Sequence, residues 1–157
     1  MRVRVIAVGT RLPAWVRGAC EDYLARLASR LAVSLLEIEP GPRTAGGVAH
    51  KAIAVEGQRL LGAVRPGDHV AVLDERGTQF STRELAAWLQ ERMQRGEDLA
   101  FLIGGPDGLA AEVLARGNFT LALSRLTLPH ALVRVLLAEQ LYRAHSILTH
   151  HPYHRDG

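Results

Sequence analysis

Residues 99–108 read LAFLIGGPDG: five apolar residues, then three glycines in the next five, with Pro106 and Asp107 among them. A strand apolar at every position is expected where helices cover both faces of a parallel sheet. A glycine-rich loop directly after such a strand lets the backbone approach a ligand closely and adopt positive φ. His69–Leu73 (HVAVL) repeats the short apolar run, ending at Asp74. Outward from these two segments, strand and helix patterns alternate. Arg2–Val8 (RVRVIAV) is β-branched and alternating, and Val33–Ile38 is a second strand. Phe119–Leu123 closes the strand set. Ala14–Ser29 carries Val16, Ala19, Tyr23, Leu24 and Leu27 at helical spacing, and Val48–Val64 is a helix stopped by Pro66-Gly67. Ser81 and Glu84 form a capping box that opens a helix to about Arg95. A short helix precedes Phe119, and a last helix runs from Ala131 to Ile147. Glu39–Gly47 (EPGPRTAGG) is a loop. Alternation with short connections predicts an α/β class with a mostly parallel sheet and helices on both faces.

The chain has 157 residues and 48% apolar content, which fits one domain with a normal core. Cys20 is the only cysteine, so an intrachain disulfide is excluded and a reducing, cytoplasmic setting is expected. No apolar run approaches the ~20 residues that cross a bilayer, so no membrane partner is expected. Of 19 basic residues, 18 are arginine, with Lys51 the only lysine. Arginine suits phosphate and base stacking, while genomic base composition produces the same bias.

Ligands of open parallel sheets bind beyond the carboxyl ends of the strands. Three loops are expected there, after Leu73, Ile103 and Leu123. The glycine loop fits neither GxGxxG nor GxxxxGK[ST], which disfavours a dinucleotide or P-loop site. Residues 123–134 (LSRLTLPHALVR) are unusually apolar for a connection. They suit a snug wall around a small planar ligand, or a buried connection with a satisfied histidine. The last helix is apolar around nearly its whole circumference, which implies burial between chains and hence a homodimer. Arg134 and Arg143 project from it nine positions apart, about 180° out of phase. Five of seven histidines lie between His130 and His154. No cysteine or acidic ligand accompanies them and Pro152 interrupts helical pairing, so no metal is expected. Tyr153, His154 and Arg155 combine stacking, proton exchange and phosphate contact, a set that suits RNA.

VAVGT near the start, EGQRLL at Glu56–Leu61, FLIGGPDGL, LTLPHALVRVLLAEQLYRA and the ending HPYHR resemble the RlmH family of SPOUT-type rRNA methyltransferases. The resemblance spans the chain, so residues 1–157 are expected to form a single SPOUT domain with a C-terminal tail over 148–157. It implies an α/β fold with a deep C-terminal trefoil knot, and an obligate homodimer that binds S-adenosylmethionine in the knot. It further implies methylation of N3 of pseudouridine 1915 in 23S rRNA of the assembled ribosome. Carried onto this chain, the cofactor-binding positions are Leu73, Gly104, Leu123, Ser124, Arg125, Leu126, Thr127 and Leu128. The expected catalytic group is His130, Arg134, Arg143, Tyr153, His154 and Arg155. His130 and His154 are the candidate bases, Tyr153 a stacking partner, and the arginines phosphate or anion contacts. These residues are expected to crowd together near the cofactor loop. Two other readings are a ribosome-associated RNA-binding protein without catalysis and a small-molecule α/β enzyme using the glycine loop on a nucleotide.

Overall fold

The structure, a computed structural model, describes residues 1–44 and 49–155. The expected helix start at Val48 and the last part of the expected Glu39–Gly47 loop therefore lie outside the described residues. The elements are β1 (Arg2–Val8), α1 (Ala14–Ala28), β2 (Ala32–Ile38), α2 (His50–Ala63), β3 (His69–Gln79), α3 (Thr82–Gln94), β4 (Leu99–Ile103), α4 (Ala111–Arg116), β5 (Phe119–Ala122) and α5 (His130–Leu148). The five strands form one parallel sheet in the order β2-β1-β4-β3-β5.

Strand side chains alternate between two cores, as the two-residue period requires. Val3, Val5, Ala71, Leu99, Phe101 and Ile103 face the side covered by α1, α3 and α5, where Leu27, Leu89, Leu137 and Leu141 meet them. Ile6, Val8, Val70, Val72, Ala100 and Leu102 face α2 and α4, against Leu60 and Val113. The central β4 is buried at every residue, as its unbroken apolar run requires. The capping box is formed: the Glu84 N–H donates to Ser81 Oγ at 3.1 Å and the Ser81 N–H donates to Glu84 Oε2 at 2.6 Å.

Three strand boundaries differ from the sequence reading: β2 begins one residue earlier, β5 ends one residue earlier, and β3 is much longer. β3 does not stop at Asp74 but runs on to Gln79, with a register break between Leu73 and Thr78 in its pairing with β5. Asp74 makes a local turn inside the strand, accepting from the Arg76 N–H and guanidinium at 2.9 Å. Thr78 and Gln79 then re-pair with Leu121 and Ala122. Gly77 permits the close approach, since a Cβ there would fall 2.6 Å from the Thr120 carbonyl oxygen.

α5 is only partly enclosed by this chain. Leu137, Leu141 and Ala144 are fully buried, whereas Leu132, Val133, Val135 and Leu136 remain half-buried. Its C-terminus is a Schellman turn: the His151 N–H donates to Ser146 O at 2.9 Å and the His150 N–H to Ile147 O at 3.2 Å. His150 occupies the left-handed position with φ 53°. The turn sends the tail back along α5.

Candidate active site

At the carboxyl ends of β3, β4 and β5 lies a cavity of about 830 Å³. The glycine loop 104–109 forms one wall and the connection 123–130 another. The displaced β3 segment Asp74–Arg76 forms the rim. Of the predicted cofactor positions, Leu73, Gly104, Leu123, Ser124, Leu126, Thr127 and Leu128 line it. Arg125 is exposed and lies outside the lining. Glycine is needed at 104, where a Cβ would fall 2.9 Å from both Gly108 O and the Leu109 side chain. The 123–130 wall holds its shape through local polar bonds. Leu126 N–H donates to Ser124 Oγ, and Thr127 Oγ1 donates to Glu75 Oε2, each at 2.9 Å. The Thr127 contact ties the wall to the β3 rim. Leu126 itself is 71% exposed, an apolar side chain left at the cavity mouth.

The family model described as "Predicted SPOUT methyltransferase" matches residues 1–154. Ribosomal RNA large subunit methyltransferase H of Thiobacillus denitrificans is 51% identical over 156 residues, which are 99% of this chain and 100% of that one. The proteins of the same name from Chromobacterium violaceum and Bordetella pertussis are 47% and 50% identical, over 99% of this chain and 100% and 99% of theirs. The chain belongs to the ribosomal RNA large subunit methyltransferase H family of SPOUT methyltransferases. The fold agrees. A probable methyltransferase from Bordetella pertussis superposes with a TM-score of 0.58 at 18% identity, covering 91% of this chain and 93% of that one. A probable methylase family protein from Haemophilus influenzae gives 0.55 at 14% identity, covering 98% and 70%.

The remaining predicted residues of this SPOUT methyltransferase fall into three places. His130, the first residue of α5, lines the cavity beside Pro129 and Val133. Burial pushes its pKa down, and the nearby Arg134 charge pushes it further the same way. Arg134 points into the protein. It is 3% exposed and pairs with Glu37 at 2.7 Å, while donating to Val8 O and Gly9 O at 3.2 Å each. It therefore fastens α5 to the carboxyl end of β1. The third place is the far half of α5, where the tail returns. Tyr153 packs on Tyr142 with ring centroids 4.6 Å apart, and the Arg143 guanidinium lies 4.7 Å from the Tyr153 centroid. His154 is half-buried and Arg155 exposed beside them.

The expected crowding of all six residues is thus not found within one chain. His130 and Arg143 are separated by about 20 Å of helix axis, at 1.5 Å per residue. Sequence proximity suggested one cluster because His130 and the tail bracket a single helix, whose length holds them apart.

Glu139 is a residue the sequence reading missed. Its Oε1 accepts from Arg143 at 2.8 and 2.6 Å and from the Tyr153 hydroxyl at 3.1 Å, while Oε2 accepts from Gln140 at 2.6 Å. One carboxylate thereby sets the position of both the guanidinium and the phenol. Burial, with hydrogen bonding to Tyr23 and Glu139, holds the Tyr153 hydroxyl protonated well above the usual phenol range. The i, i+4 spacing of Glu139 and Arg143 was the available signal. Among the described residues, no group of three or more His, Cys, Asp or Glu is arranged to hold a metal ion, and no helix is long and apolar enough to cross a membrane.

Proposed function

We propose that the chain methylates large-subunit ribosomal RNA, using S-adenosylmethionine held in the cavity at the β3–β5 strand ends. The target is N3 of pseudouridine 1915 of 23S rRNA in the assembled ribosome, and the enzyme is a cytoplasmic homodimer. The observation that carries this reading is the cavity wall. A glycine cradle that a Cβ would fill faces an apolar connection, Leu123–Pro129, and the two enclose a space suited to a purine-bearing cofactor. The deep C-terminal knot belongs to the same proposal.

When bound, the cofactor supplies an electrophilic sulfonium methyl group, and the protein's task is then to aim the nucleophile and remove its proton. Leu73, Gly104, Leu123, Ser124, Leu126, Thr127 and Leu128 would hold and orient the cofactor, with the Thr127–Glu75 bond fixing one side of the opening. His130 is kept neutral by burial and by Arg134, which leaves a ring nitrogen able to accept the N3 proton. His154 is the alternative acceptor. Tyr153 offers a face for base stacking, and Arg143 and Arg155 offer guanidinium groups for phosphate.

Two features support the dimer. The half-buried Leu132, Val135 and Leu136 leave apolar surface on α5 for a partner. Twofold pairing that runs two copies of α5 antiparallel also brings the tail of one protomer toward the cavity of the other. That bridges the ~20 Å that separates His130 from Arg143 within a chain.

Calorimetry with S-adenosylmethionine, using ATP and NADH as controls, tests the cofactor. Saturable binding of S-adenosylmethionine alone is expected. Absence of binding, together with no methyl incorporation into whole ribosomes, overturns the reading.

A further inference from the structure

Glu56 is buried beneath the glycine loop, 2% exposed, on the inward face of α2. Its Oε1 accepts from the Gly41 N–H at 3.1 Å and from Arg43 at 2.5 Å. Its Oε2 is buried and receives no hydrogen bond among the described residues. That bare oxygen faces the loop: a Cβ on Gly105 would fall 3.2 Å from Oε2 and 3.5 Å from Oε1. The loop backbone therefore rests directly on the carboxylate, with no side chain between.

Arg43 makes a second connection. It joins Glu56 through one terminal nitrogen and Asp107, inside the glycine loop, through Nε at 2.8 Å. It also donates to Gly41 O at 3.3 Å. Both Gly105 and Asp107 line the cavity. Leaving a buried carboxylate oxygen without a hydrogen bond is costly. A purely packing role would be met by a neutral residue of the same shape.

We infer that Glu56 is a positioning residue for the cofactor, setting the glycine loop by contact at Gly105 and through the Arg43 bridge to Asp107. The inference rests on the reading of the cavity as the S-adenosylmethionine site. Glu56 touches no cofactor; it fixes the loop that does. Its loss relaxes the wall of the cavity and weakens ground-state binding, with little effect on the transfer step once the cofactor is seated.

The test compares wild-type protein with Glu56→Gln, Arg43→Gln and Asp107→Asn. Arg43 and Asp107 side chains are 29% and 40% exposed, so their variants keep the test open even where the buried change impairs folding. Calorimetry with S-adenosylmethionine should show Kd raised about tenfold in Glu56→Gln, with KM for the cofactor rising in parallel and kcat on ribosomes within about twofold of wild type. Arg43→Gln and Asp107→Asn should shift Kd in the same direction, and Glu56→Gln with Arg43→Gln should weaken binding by less than the product of the single effects. Folded Glu56→Gln binding S-adenosylmethionine as tightly as wild type overturns the inference, as does wild-type binding by both surface variants. Failure of the wild-type chain to bind overturns instead the cofactor reading on which it rests.

Discussion

The guanidinium of Arg143 lies 4.7 Å from the centre of the Tyr153 ring, and the same Glu139 oxygen accepts from both side chains. The tail is thus not a loose end: a carboxylate, a cation and a phenol lock it onto α5. In the proposed enzyme this is the element that meets RNA, so removing it separates the two halves of the function. Deleting residues 153–157 should reduce methyl transfer to ribosomes at least 100-fold, the scale expected for loss of positioning. Cofactor affinity should stay within about twofold, because the tail is far from its own chain's cavity and, in the proposed dimer, serves the RNA side of the partner's cavity and not the walls that hold the cofactor. Single-turnover transfer measured beside calorimetry checks this. A large loss of cofactor affinity would place the tail in the cofactor pocket, supplied by a partner.

Glu139→Gln should resemble a mild form of that deletion. The amide keeps the shape but loses the charge that orients Arg143, so transfer should fall roughly tenfold while the fold persists. Tyr153→Phe removes the Glu139 contact and retains the ring. If stacking is the tyrosine's task, the phenylalanine variant should keep most of its activity and Tyr153→Ala should not.

Much of the sheet was legible because its signals are local. Leu99–Ile103 admits no exposed face, and β4 is buried throughout. Ser81 and Glu84 announce their helix start by side-chain chemistry alone, and the cap is formed as written. β3 was shortened because Asp74 begins a polar run, DERGTQ, that looks like a loop. Its return to pairing depends on β5 and on the absence of a side chain at Gly77, which no local pattern reports. For the candidate site, the 123–130 wall stood out by its apolar content. Neither arginine's destination did. Phase analysis set Arg134 and Arg143 on opposite sides of α5, but only packing shows that Arg134 is the inward one. Glu56 was visible only as part of a motif, since its contacts reach Gly41, Arg43 and, through Arg43, Asp107.

Arg134 offers a stability prediction. Its side chain is nearly fully buried and joined to Glu37, Val8 O and Gly9 O. Arg134→Ala strands those acceptors and opens a cavity between α5 and β1, and should cost on the order of 3 kcal/mol in urea unfolding. Arg134→Lys retains charge without the fork and should recover only part of that. If either variant matched wild type, the arginine would not be the fastener its contacts describe.

Histidine protonation should make the fold acid-sensitive. His69, His130 and His145 are all shifted down, in each case chiefly by burial. A depressed folded pKa means that the unfolded chain binds protons first as pH falls. Stability from these groups is therefore complete above the unfolded histidine value of about 6.5 and is lost as pH drops toward the folded values. Tm measured from pH 8 to pH 5 should fall below about pH 6.5. His145→Gln should flatten the decline by removing one of the three groups; an unchanged slope would assign the sensitivity elsewhere.

The turn that reverses the tail provides the last prediction. His150 sits at φ 53° in the left-handed position of the Schellman turn, where glycine carries no Cβ penalty. The strain on a non-glycine residue there is about 1 kcal/mol, partly offset because glycine loses more backbone entropy on folding. His150→Gly should therefore leave stability unchanged or raise it by up to about 1 kcal/mol, and it should preserve transfer, since the turn and not the imidazole directs Tyr153 back to Glu139. A β-branched residue cannot take that conformation cheaply. His150→Val should fray the last turn of α5, release Tyr153 from Glu139 and lower transfer while the cavity still binds cofactor. Tyrosine fluorescence quenching or hydrogen exchange at 149–155 reports the release, and an ordered tail in the valine variant would show that the Arg143–Tyr153 contact holds it without the turn.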